Sequence, residues 1–123
     1  ENEVCGNRES GIFVFAGAQP RVADNVCKGN HHFGIAVRDT GSHPELVRNL
    51  CRENMLSGIL LFHYAEALLV DNTCSENQHW GMVMTPDCHP TPGREALDTS
   101  NILAPNPRGA LIVTDQPLGA IGR

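Results

Sequence analysis

The side chains best placed to do chemistry are Arg38, Asp39 and His63. Asp39 and His63 occupy the same position in two consecutive repeats of the chain, and Tyr64 follows His63. A carboxylate, an imidazole and a guanidinium together could abstract a proton beside a carboxylate group. The same residue types are also common on solvated surfaces. The sequence therefore favours a protein that is not an enzyme, with these three as the candidate catalytic residues.

Three cysteines share one repeat position, at Cys27, Cys51 and Cys74. A metal ladder or a disulfide chain would use such a column, but Val4 and Leu103 stand at the same position in the other repeats. These substitutions favour small, buried core residues with reduced thiols. Unpaired thiols, together with the lack of a visible signal peptide, favour a cytoplasmic location.

A fourth cysteine, Cys88 in "DCHP", is expected to be exposed in a loop. Asp87, Cys88 and His89 alone are too few ligands for zinc. The sequence therefore predicts no metal site and no cofactor.

Charge and hydropathy exclude two classes of partner. The 123 residues carry a net charge of -5, and the nine Lys and Arg residues do not cluster. Binding to a nucleic-acid backbone needs a basic stripe, so no nucleic-acid partner is expected. No apolar run approaches the roughly 20 residues of a membrane span, so no membrane partner is expected either.

The elements that must position these residues repeat along the chain. An Asn recurs every 23 or 24 residues, a second Asn follows five residues later, and a Gly follows four residues after that. The first Asn is at 2, 25, 49 and 72, the second at 7, 30, 54 and 77, and the Gly at 11, 34, 58 and 81. A fixed period of this length is typical of stacked repeats.

Each coil is predicted to be built of short strands. Apolar residues alternate with period two after each Gly, as in a strand, and a further strand precedes each first Asn, as in "PRVAD" (20–24) and "PELVR" (44–48). Asn and Gly between them suit tight turns. The predicted fold is all-β, a single-stranded parallel β-helix of four to five coils of about 23 residues, with Asn ladders that satisfy the turns.

The pattern P-x-[VL]-x-x-N-x-C-x-x-N-x-x-x-G-I-x-V resembles right-handed parallel β-helix repeats. It is similar to the carbohydrate-binding and sugar-hydrolase repeat class, which includes the β-helix of F-box substrate receptors. The resemblance is clear over residues 1 to about 87. It implies a right-handed scaffold, in agreement with the bias of parallel crossovers. The class includes lyases and epimerases as well as interaction modules, so a carbohydrate-binding or polysaccharide-modifying module is the alternative function.

The predicted β-helix domain covers residues 1–115, and residues 116–123 form a tail. The Asn pair at 101 and 106 marks a fifth, degraded coil. The Pro- and Gly-containing stretch at about 85–100 is predicted to be an inserted, protruding loop.

The strand after each Gly is predicted to have an apolar outer face. If the first and third residues after Gly point inward, the second and fourth point outward. The expected interface residues are Phe13, Phe15, Leu60, Phe62 and Val83. An exposed apolar face usually marks an interface, so the sequence favours a scaffold for a protein partner or a homo-oligomer. Intramolecular cover by the insert or the tail and a sugar-stacking platform, with a polysaccharide as partner, are the alternatives.

Overall fold

The computed structural model describes residues 2–93, 96–97 and 100–115. Within these residues, short strands alternate with turns and bends, and one helical turn includes Ala96 and Leu97. The strands are β1 (Glu3–Cys5), β2 (Ile12–Val14), β3 (Arg21–Ala23), β4 (Val26–Lys28), β5 (Ile35–Arg38), β6 (Glu45–Val47), β7 (Leu50–Arg52), β8 (Ile59–Phe62), β9 (Glu66–Val70), β10 (Thr73–Ser75), β11 (Trp80–Met84), β12 (His89–Thr91) and β13 (Gly109–Val113).

Three parallel sheets run along the molecule. The first sheet is β1-β4-β7-β10, the second is β2-β5-β8-β11-β13, and the third is β3-β6-β9-β12. Each coil contributes one strand to each sheet, so the chain is a β-solenoid of about four coils. The predicted parallel β-helix is therefore confirmed. A fifth coil is represented by β13, by an isolated bridge between Thr73 and Ile102, and by Asn101 and Asn106, which accept hydrogen bonds from Asn72 and Asn77.

The inward side chains form one continuous core. Residues from the second sheet stack in columns, with Ile35 beside Ile59 and Val37 beside Leu61, and all four are fully buried. Cys27, Cys51 and Cys74 stack in the same core from the first sheet, and all five cysteines are free. The prediction that this column is buried in the core is confirmed.

Glycine is required where two coils approach most closely. A Cβ added at Gly58 would lie 2.7 Å from the Cβ of Cys74 and 2.7 Å from the carbonyl oxygen of Gly81. Gly34 meets Cys51 in the same way, at 2.9 Å. The repeated Gly and the repeated Cys therefore form one packing unit: a small side chain lies under the Gly of the preceding coil.

Two Asn ladders hold the corners on either side of the first sheet. Along each ladder, the backbone amide and the side-chain amide of one Asn both donate to the Oδ1 of the Asn one coil later. The same side-chain amide reaches back to a carbonyl of the preceding coil, as from Asn49 to Val22 and from Asn54 to Cys27. Buried polar groups are stable only when hydrogen-bonded, so these Asn residues are structural, as the sequence indicated.

The region predicted to be an inserted loop at 85–100 differs from that prediction. Residues His89–Thr91 form β12, which pairs with β9 and continues the third sheet. Cys88 is fully buried rather than exposed, and Leu97 packs into the core. The six additional residues between the Asn at 72 and 101 therefore fall after Thr91. Residues 94, 95, 98 and 99 of the insert and the predicted tail at 116–123 lie outside the described residues.

Candidate interaction surface

Two columns of side chains point outward from the second sheet. Strand registers place Phe13 beside Ala36, Ala36 beside Leu60, and Leu60 beside Val83. In the second column, Arg38 lies beside Phe62. The inward residues Val37 and Leu61 lie between these columns, so the alternation follows the predicted pattern of inward and outward positions.

The middle of this outer face is buried, against expectation. Leu60 is 2% exposed and Val83 is 0% exposed, so neither is available to a partner in this structure. Both belong to a second apolar cluster outside the coil, whose other buried members are Phe33 and Ala36. The partly buried residues packed against this cluster are Leu56, Phe62, Trp80 and Ile112.

Aromatic residues immediately before the repeated Gly explain this burial. Phe33 immediately precedes Gly34, and Trp80 immediately precedes Gly81. Both pack against the outer face. The equivalent position in the coil between them is Ser57, whose Oγ accepts a hydrogen bond from the backbone amide of Trp80 at 3.0 Å. The occurrence of Phe, Ser and Trp at this position in successive coils was the signal in the sequence that could have predicted the burial of the outer face.

The part of the face that remains open is an aromatic band of Phe13, Phe15, Arg38 and Phe62. Phe13 is 43% exposed and Phe15 is 52% exposed, and their rings meet edge to face with centroids 5.3 Å apart. The guanidinium carbon of Arg38 lies 5.8 Å from the centre of the Phe13 ring, a distance typical of a cation–π contact. Phe62, which is half-buried, completes the band beside Arg38.

Of the predicted catalytic residues, Arg38 belongs to this band, and Asp39 and His63 follow it at the corner after the second sheet. Arg38 Nε donates to Asp39 Oδ2 at 3.3 Å, and the same oxygen accepts the backbone amide of Ala16 from the preceding coil at 3.1 Å. The His63 ring packs against Phe62, with centroids 4.7 Å apart. Asp87 binds the backbone amide of Tyr64 in the same manner, at 3.3 Å. The Asp residues at this corner therefore brace one coil against the preceding one.

The electrostatics of this corner favour a fixed carboxylate over a proton carrier. The hydrogen bond from the Ala16 amide lowers the pKa of Asp39, and the hydrogen bond from Arg38 lowers it further. A carboxylate with a lowered pKa remains ionised near neutral pH and is a weak base. The geometry therefore indicates that Asp39 has a structural role in the turn.

No group of three or more His, Cys, Asp or Glu side chains among residues 2–93, 96–97 and 100–115 is arranged to hold a metal ion. No helix in the part of the chain that the structure describes is long and apolar enough to cross a membrane.

Comparison with known families identifies the scaffold. The model of the family described as "right handed beta helix region" matches residues 1–112, which include strands β1 to β12 and most of β13. The chain belongs to the right-handed β-helix family. The family resemblance that the Asn, Cys and Gly spacing indicated is confirmed. Searches of curated proteins and of solved structures gave no match. The right-handed β-helix is thus established as the scaffold of this chain.

Proposed function

We propose that this right-handed β-helix is a non-enzymatic scaffold that binds a protein surface through the aromatic band, with a second copy of the chain as the partner. The observation that carries the proposal is the exposed Phe13–Phe15 pair with Arg38 packed over Phe13. Aromatic residues and Arg are the types most enriched in the energetically important centres of protein interfaces.

The charges around the band are compatible with self-association. The chain carries a net charge of -5, which disfavours contact between two copies over most of their surfaces. At the band, Arg38 is paired with Asp39, so this region is locally neutral. A two-fold contact would place the same band on both copies and bury the Phe rings against each other.

Light scattering over a concentration series tests this proposal. The wild-type mass should rise from 13.3 kDa towards twice that value. Phe15→Asp should remain a monomer, because a charge would be buried among aromatic rings. Met55→Asp is the matched control, since Met55 is also an exposed apolar residue but lies outside the band. It should associate like the wild type. A wild type that stays monomeric, or a Phe15→Asp variant that dimerises normally, would refute self-association through the band.

The alternative function is a carbohydrate-binding or polysaccharide-modifying module that uses Arg38, Asp39 and His63. It is less well supported, because the Asp39 carboxylate is already engaged by Ala16 and Arg38. His63→Ala should reduce glycan binding or turnover only under this alternative, whereas Phe15→Asp should reduce association only under the first.

A further inference from the structure

The Asn ladders are open at the first coil. One ladder runs through Asn7, Asn30, Asn54, Asn77 and Asn106. Each Oδ1 after the first accepts a backbone amide and a side-chain amide from the preceding coil. Among the described residues, no donor reaches the Oδ1 of Asn7, and its side-chain amide donates to Asn30 alone. The first coil therefore leaves an acceptor and a donor of this ladder unused.

The opposite end of both ladders is closed by its own coil. A side-chain amide has two hydrogens to donate. Asn101 donates to the carbonyl oxygens of Leu69 and Leu97, at 2.9 and 2.8 Å. Asn106 likewise donates to one carbonyl of the preceding coil and to one of its own coil. Neither side-chain amide can therefore donate to an Asn of a further coil.

The edge strand of the second sheet at the open end is β2, which carries the first ring of the aromatic band. Among the described strands, β2 pairs with β5 alone, and the Ile12 amide donates to the Gly34 carbonyl at 3.0 Å. Successive residues of a strand direct their backbone groups to opposite sides, so those of Phe13 lie on the free edge. The core is also less covered here, since Ile12 is only partly buried whereas Ile35 beside it is fully buried.

We propose that the free edge of β2 pairs antiparallel with β2 of a second copy, so that the second sheet continues across a two-fold dimer. The proposal rests on self-association through the aromatic band and specifies how the two bands meet. With Phe13 directly opposite its counterpart, the two residues would exchange both backbone hydrogen bonds, with Cα atoms about 5.5 Å apart. Their rings would be cross-strand neighbours on the outer face, which is a favourable aromatic pair.

The other two edge strands bring opposite charges together in such a dimer. A two-fold axis through β2 exchanges β1 and β3, so β1 of each copy faces β3 of the other. The exposed Glu3 lies on β1 and has no ion-pair partner among the described residues. The exposed Arg21 lies on β3, where its Nε is 3.9 Å from Glu45 and its other donors are open to a second carboxylate.

The closed ladders favour this contact over a head-to-tail one. A head-to-tail stack would need side-chain donors from Asn101 and Asn106 for the open Asn of the next copy, and those donors are already used. A two-fold contact uses the open end of both copies and closes on itself, so it gives a dimer rather than a filament.

Amide hydrogen exchange at protein concentrations below and above the association midpoint tests the pairing. The Phe13 amide should exchange rapidly in the monomer and about tenfold or more slowly in the dimer. The Ile12 amide is the internal control, since its bond to Gly34 protects it in both states. A dimer in which Phe13 stays unprotected would overturn the edge pairing and leave the band as the interface. A Phe15→Asp variant that still dimerises with Phe13 protected would refute the band and support the edge pairing, and a wild type that never dimerises would refute both.

Charge exchange tests the arrangement of the other two edges. Glu3→Arg and Arg21→Glu should each raise the dimer Kd about fivefold, because each brings like charges together. The double variant should return to within about twofold of the wild type. Glu53→Arg is the matched control, with the same change of charge at an exposed turn of the third coil, and it should leave the Kd within about twofold of the wild type. Equal weakening by Glu3→Arg and Glu53→Arg, a double variant no tighter than the single ones, or species larger than a dimer in sedimentation would overturn the proposal.

Discussion

Asn72 Oδ1 accepts two hydrogen bonds from Asn49, one from its backbone amide and one from its side-chain amide, each 3.0 Å long. The side-chain amide of Asn49 also donates to the carbonyl oxygen of Val22 in the preceding coil, at 2.8 Å. Asn49 thus links three coils through one buried side chain. Asp has no amide donors, and Gln would move the amide by one methylene, so neither residue reproduces this arrangement.

Replacement of Asn49 by Ala should therefore cost about 3 kcal/mol of unfolding free energy, since buried donors and acceptors lose their partners. Asn2→Ala is the matched control at the exposed end of the same ladder, where one side-chain bond of 3.3 Å joins Asn2 to Asn25. It should cost less than about 1 kcal/mol. Urea denaturation measures both values. Equal losses in the two variants would show that burial does not determine the contribution of the ladder.

Gly58→Ala should destabilise the fold by about 3 kcal/mol or more, because the new Cβ would overlap with Cys74 and with the backbone of Gly81. Gly17→Ala provides a contrast. Gly17 has a φ of 80° but nothing within 4 Å of an added Cβ, so only the backbone preference is lost, at about 1 kcal/mol. Thermal unfolding compares the two. A Gly58→Ala protein as stable as Gly17→Ala would contradict the close packing of Gly58 against Cys74.

Burial in the second apolar cluster divides the predicted interface residues into a buried group and an exposed group. Leu60→Ala should destabilise the monomer by about 2–4 kcal/mol, since Leu60 is buried beside Phe33, whereas Phe15→Ala should cost less than about 1 kcal/mol. Both values come from denaturation at a protein concentration at which the chain is monomeric. A large loss in Phe15→Ala under those conditions would mean that Phe15 is a core residue rather than a surface one.

The Asn and Gly spacing was enough to predict the coil, two of its three strands and the direction of the core side chains. The strand between the two Asn residues, which forms the first sheet, was not located from the sequence. The predicted features follow from a single repeat unit, because each coil must present the same small residue and the same amide to the next coil. Ile35, Ile59 and Met82 are inward for this reason, and so are Cys27 and Cys51.

The surface could not be predicted in the same way, because its features depend on residues that differ between coils. Phe33 and Trp80 cover Leu60 and Val83 although Ser57 stands at their position in the intervening coil. Cys88 is different, because Ala65 and Ser42 at the equivalent position of the two preceding coils are also fully buried. The backbone amide of Ser42 donates to the carbonyl of Asp39, as that of Cys88 does to Thr85, so comparison of the coils could have predicted the burial of Cys88.

Asp39 should contribute to stability in a pH-dependent manner. The Ala16 amide and the Arg38 guanidinium hold its folded-state pKa below the usual value of 3.8. A depressed folded-state pKa stabilises the protein above the unfolded-state pKa, and this contribution is lost as the pH falls through the folded-state pKa. The difference in unfolding free energy between wild type and Asp39→Asn should therefore be constant above about pH 5 and should shrink below 3.8. A difference that does not change before acid unfolding would contradict the hydrogen bond to Ala16.

Thiol reactivity tests the packing of the first sheet and of the turn after Met84. Cys5 is exposed, whereas the other four cysteines are buried. A hydrogen bond to Cys51 and burial raise the pKa of Cys27 far above its ordinary range, and burial raises the pKa of Cys88. The thiolate is the reactive form, so both burial and protonation protect these side chains. Ellman's reagent at pH 8 should therefore modify one thiol of the folded protein rapidly and all five after denaturation.

A Cys5→Ser variant should lose the rapid reaction. Rapid modification of a second thiol in the folded protein would show that Cys88 or a member of the Cys column is accessible.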